Sequence, residues 1–162
     1  MLMVKLIAIF LSLITFYKAF SLEKNTIQSF DYWKIIKQNN SCFLLGQPSY
    51  SKGFPGFRDN PYFFIKKDKK NFVNLGIFSG FALSYDRPPV VLINNQSFIL
   101  QSYRSSFAST GQNFNLESFI KALLANDRSL IVTTSNRNNS ISYDYYDLRN
   151  LGIILKFLQN PC

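Results

Sequence analysis

Short stretches rich in aromatic and β-branched residues recur along most of this chain, with asparagine, glycine, proline and serine between them, and that rhythm constrains its fold more than any other feature. It is the signature of a mainly antiparallel β domain. The spacing predicts strands over 32–36, 42–45, 62–66, 71–78, 90–93, 97–101, 129–135 and 140–145. In the fourth, Val73, Leu75 and Ile77 share one face while Asn74 and Gly76 take the other, as a half-buried strand requires. Asn94 and Asn95 separate two apolar runs, and asparagine tolerates the positive φ that a tight hairpin demands.

Two segments follow a helical period instead. Leu116, Phe119, Ile120, Leu123 and Leu124 recur behind Asn115, a good N-cap, and the pattern ends near Asn126. A second helix is predicted over 148–159, with Leu148, Leu151, Leu155 and Leu158 on one stripe, Asp147 as N-cap and Pro161 at its end. Both stripes read as core packing. Residues 46–60 carry Gly46, Pro48, Gly53, Pro55 and Gly56, and read as an irregular surface loop. The predicted fold class is therefore mainly β: an antiparallel β-sandwich of about eight short strands with two α-helices, one of them C-terminal.

Residues 1–21 have the layout of a secretory signal peptide, with Lys5 before an apolar run over 6–17 and Lys18, Ala19 and Ser21 behind it. The run is shorter than the roughly 20 apolar residues that a spanning helix needs. Cleavage after Ser21 is expected, with an uncleaved membrane tether as the alternative. Residues 22–162 then suit a single β-rich domain, periplasmic or secreted and not an integral membrane protein. In an oxidising compartment Cys42 and Cys162, the only two cysteines, most simply pair with each other. Closing a loop of roughly 120 residues would remove on the order of 4–5 kcal/mol of unfolded-state freedom. Two unpaired buried thiols are the alternative.

The chain is basic, with a formal charge of +9 and a pI near 9.6. That excess favours anionic partners such as lipopolysaccharide or phospholipid, and export makes nucleic acid the least expected of them. Lys66, Lys67, Lys69 and Lys70 gather around Asp68 at a hairpin tip, either as a solvated, edge-protecting turn or as an anionic-surface contact. The chain contains no histidine and no closely spaced cysteines, so no metal and no other cofactor is expected. A hydrolase would have to rely on a perturbed lysine or carboxylate, and no catalytic residue is assigned. Asp144 and Asp147 stand three apart, but a strand end and a helix start account for them.

Several segments, read in order, resemble the invasion-associated locus B family of small exported alphaproteobacterial proteins. Trp33 and Cys42 begin the likeness. Residues 57–63, with Arg58, Asp59 and Tyr62, resemble the family's arginine-containing turn into a strand, and 71–81 resemble its strand ending in a glycine-aromatic pair. Residues 93–100 are similar to its central hairpin, where other members often carry Asp-Gly at the turn. Residues 130–137, with Ser135 and Arg137, resemble its late strand and serine-x-arginine exit. The fullest match runs over 144–151, with Asp144 and Tyr146, and Cys162 closes the series. Asp147 stands where the family usually has serine, and Asn150 where many members have glycine.

The resemblance implies a β-rich periplasmic or surface-associated protein, linked in some pathogens to host-cell invasion, with no established catalytic residues. On this reading Trp33, Arg58, Asp59, Tyr62, Ser135, Arg137, Asp144 and Tyr146 are structural, holding turns and strand ends together. The expected function is that of an exported, non-enzymatic, envelope-associated module whose partner is an unknown protein or an anionic envelope component. The rival is a structural or accessory periplasmic protein, such as an assembly factor or inhibitor, acting through an exposed strand edge.

Overall fold

In the computed structural model, which describes residues 26–53, 56–68, 72–103, 105–126 and 128–158, the described strands form two antiparallel sheets. One has seven strands in the order β1-β2-β3-β5-β6-β10-β9: Thr26–Phe30, Trp33–Gln38, Ser41–Gly46, Tyr62–Lys67, Phe72–Phe78, Phe107–Ser109 and Gln101–Tyr103. The other has five in the order β4-β12-β11-β7-β8: Tyr50–Lys52, Ile141–Asp147, Ser129–Ser135, Val90–Ile93 and Gln96–Ile99. Helix α1 is Leu116–Leu124 and α2 is Leu151–Phe157. Among the described residues this is the expected class, a mainly β sandwich with two helices, though with twelve strands where the sequence predicts about eight.

The core forms because alternate residues of each strand point inward. Trp33, Ile35, Leu44, Phe63, Ile65, Leu75 and Ile77 of the first sheet join Val91, Ile93, Leu130, Val132 and Tyr146 of the second in one buried cluster. Phe63 is its hinge point, with ring centroids 6.1 Å from Phe119 of α1 and 5.9 Å from Tyr146 of β12. Helix α1 starts as predicted, the Asn115 side chain accepting the Ser118 N–H at 2.9 Å. The β7–β8 hairpin also forms as predicted. Asn94 and Asn95 hold φ of 47° and 65°, and Ile93 pairs with Gln96.

Four expectations change. The predicted strand over 97–101 is two strands in different sheets, because the chain turns the corner of the sandwich at Leu100, which is fully buried. The predicted loop over 46–60 contains β4, laid along β12 with Tyr50 opposite Tyr145 and Ser51 opposite Asp144. All three β4 residues are exposed, so no apolar alternation betrays this edge strand. Residues 148–150 precede α2 rather than belong to it. Leu148, Leu151, Leu155 and Leu158 form the expected buried stripe, but Asp147 ends β12, and the N-cap is Asn150 at φ 64° with no side-chain cap bond. The Asp147 carboxylate instead accepts the Arg149 N–H at 2.9 Å. Pro161 lies outside the described residues.

Candidate functional site

Asp144 is not at a strand end. It occupies the middle of β12, faces the sandwich interior, and has a side chain only 2% exposed. The buried carboxylate needs partners, and three elements supply them. Arg58, from the segment between β4 and β5, donates from Nη2 to Oδ2 at 2.7 Å, and Ser51 of β4 donates from Oγ to Oδ1 at 2.6 Å. Arg58 Nη1 donates to Ser142 Oγ at 2.6 Å, and the guanidinium lies 5.5 Å from the Phe81 ring centroid. Two buried polar atoms lack a hydrogen-bond partner among the described residues: Arg58 Nε and Thr134 Oγ1, the latter on the residue opposite Ser142. Tyr146 sits on the same face of β12, and its phenol is pushed well above its usual range, chiefly by burial and then by the Asp144 charge. The arrangement is a charge-neutral tie between a loop and a sheet.

The other residues singled out in the sequence do not converge on this cluster. Trp33 is buried and its Nε1–H donates to the Asp147 carbonyl oxygen at 2.7 Å. The Asp59 N–H donates to the Gly80 carbonyl oxygen at 3.1 Å, and a Cβ on Gly80, which holds φ +76°, would collide with the Asp59 carbonyl. Ser135 is buried, and its carbonyl accepts the Ser84 N–H at 2.7 Å. Arg137 is exposed and stacks over Tyr85, with 5.3 Å from its guanidinium carbon to the ring centroid. Cys42 is fully buried in β3, and no cysteine among the described residues is free. Its expected partner, Cys162, lies outside them, as do Lys69 and Lys70.

Lys67 corrects the reading of the lysine cluster. On β5 it follows Phe63 and Ile65 onto the inner face, is 5% exposed, and donates to the Asp68 carbonyl oxygen at 3.3 Å. It cannot meet an external surface. Lys66 points to the other face, half-buried, with its ammonium 3.6 Å from the Asp68 carboxylate.

The feature missed by sequence reasoning is the outer face of the seven-stranded sheet. Tyr62, expected only to help hold a strand end, stacks on Phe78 there at 5.3 Å, and Phe78 lies 4.9 Å from Phe107. A signal existed: β3 and β5 carry apolar residues at consecutive positions, so both of their faces are apolar. A concavity of about 390 Å³ lies between the β1–β2 turn and the start of α2. Its charged groups are Asp31 and the Asp147–Arg149 pair, in which hydrogen bonds from Arg149 hold the Asp147 carboxyl below its usual range. Among the described residues, no three histidine, cysteine or carboxylate side chains gather into a metal-binding group, and no helix is long and apolar enough to cross a membrane.

Comparisons with protein-family models, curated proteins and solved structures give no match to this chain.

Proposed function

We propose that this chain is an exported, non-enzymatic module that associates with an anionic component of the cell envelope, in keeping with its resemblance to the invasion-associated locus B proteins. The observation that carries the reading is a charge asymmetry in the fold. The strands of the seven-stranded sheet contain Lys34, Lys37, Lys66 and Lys67 but no carboxylate, in a chain of net charge +9. Lys34 is exposed, so this sheet presents positive charge to solvent. A disulfide between Cys42 and Cys162 belongs to the same reading, since it presupposes an oxidising compartment.

The test is binding of the purified mature protein to envelope lipid, lipopolysaccharide and envelope protein at low and high salt. Salt-labile recovery with an anionic component supports the reading, and no affinity for any of them at low salt overturns it. A non-reducing intact mass reports leader removal and the cysteine state together.

The exposed outer edge of β4 favours a second reading, an accessory protein that recognises a partner by strand addition. Crosslinking in the native envelope separates the two, because a single salt-resistant protein adduct would support the second.

A further inference from the structure

We infer that the outer face of the seven-stranded sheet is a membrane seat, which rests flat on a bilayer of anionic phospholipid. This rests on the envelope-binding reading and names the surface that performs it. Ile36, Phe43, Leu45, Tyr62, Phe64 and Phe107 line a groove of about 510 Å³ on this face, and every lining residue belongs to this sheet or to Gln47 directly after β3. The face is built across strands: Ile36 is opposite Phe43, Leu45 is opposite Phe64, and Tyr62 is opposite Phe78, which is opposite Phe107. Gly76 is opposite Phe64, and the Phe64 ring lies where a Cβ on Gly76 would be. The aromatics are thereby spread over the sheet as a broad apolar surface.

Charge selects the occupant. Lys34 is exposed on this face beside Leu45, its register partner, and Lys66 stands beside Phe43; Asp68, just past β5, is the acid that faces Lys66. Aromatic rings at the level of the headgroups, with lysine stems lying along apolar surface and their ammonium groups reaching anionic phosphates, are what a bilayer interface rewards. A second copy of the chain fits poorly. Face-to-face packing about a two-fold axis would bring two lysine-bearing sheets of two basic chains together without a carboxylate in either set of strands.

The experiment is co-sedimentation of the mature protein with vesicles of phosphatidylglycerol mixed with phosphatidylcholine, and with phosphatidylcholine alone. Three variants are compared, each checked for folding by near-ultraviolet circular dichroism: Phe43→Thr with Leu45→Thr, Lys34→Gln, and Ile99→Thr as a control on the exposed edge strand β8. The expected result is binding that needs phosphatidylglycerol, falls about tenfold or more in the double variant, falls a few-fold in Lys34→Gln, and changes less than about twofold in Ile99→Thr. If the wild type binds these vesicles and the folded double variant binds equally well, the face is wrong while the envelope reading survives. If the wild type ignores the vesicles but recovers with another anionic envelope component, the membrane seat again falls alone; if it recovers with none, both fall. A dimer in sedimentation that the double variant dissociates would give the face to a second copy and overturn the inference.

Discussion

Arg58 reaches over 86 residues of sequence to Asp144 and meets its carboxylate at 2.7 Å, inside the sandwich rather than on its surface. The pair fixes the segment before β5 to the centre of β12. Side-chain exposures of 12% and 2% leave water little access to either partner.

Removing one partner should therefore cost far more than removing both. Asp144→Ala leaves a buried guanidinium without its counter-charge and is expected to destabilise the fold by about 3–5 kcal/mol. With the cycle made of Arg58→Met, Asp144→Leu and the two combined, the double variant should lose clearly less than the sum of those two single changes. Urea unfolding of the four proteins measures the coupling, and additive losses would show that the pair does not act as a unit.

That relationship marks the boundary of what the sequence discloses. The Asn94–Asn95 turn and the Asn115 cap are local, because the residue that prefers the conformation adopts it, and both were legible. The Asp144 partnership depends on Ser51 and Arg58 arriving from a segment whose glycines and prolines suggest only irregularity. Lys67 shows the same limit in one strand: its face is fixed by the phase of Phe63 and Ile65, while lysine by composition points to solvent. The aromatic outer face was hidden for the opposite reason, since Phe63 and Phe64 are equally apolar and only the fold tells which of them is the core.

Asn95→Gly should stabilise the β7–β8 hairpin. The residue holds φ 65° at the second turn position, where glycine meets no Cβ penalty. A gain of about 0.5 kcal/mol is expected, moderated by the greater freedom of glycine in the unfolded chain. Thermal unfolding measures it, and a loss of stability would mean that the Asn95 side chain has a role beyond its backbone conformation.

Stability should fall on the alkaline side, partly through Tyr146. Burial raises its folded pKa well above the ordinary value of 10.0, so the contribution is complete below that value. It is lost as pH rises from there toward the folded pKa, because the unfolded chain releases the proton first. Tyr62, raised by burial to a smaller extent, adds in the same direction. Urea midpoints between about pH 8 and pH 11 should decline less steeply in Tyr146→Phe than in the wild type, and parallel declines would exclude Tyr146 as a source.

Gly46 and Gly152 should respond to alanine with opposite signs. Gly46 pairs with Trp33 across the β2–β3 ladder, and an added Cβ would come within 2.5 Å of the indole. The ring has little freedom to withdraw, since Nε1 is bonded to the Asp147 carbonyl and the ring packs against Phe63 and Tyr146 at 6.5 and 6.4 Å. Overpacking and the strained hydrogen bond together predict a loss of about 2 kcal/mol for Gly46→Ala. Because Trp33 is the only tryptophan, the displacement should also shift the fluorescence of the native protein to the red. Gly152, inside α2, has nothing within 4 Å of the position a Cβ would take, so Gly152→Ala should gain about 0.5–1 kcal/mol from helix propensity and leave the emission unchanged. If Gly46→Ala were tolerated with an unshifted spectrum, the indole would have room that the packing around it denies, and the contact between Trp33 and Gly46 would not be what demands a glycine at the end of β3.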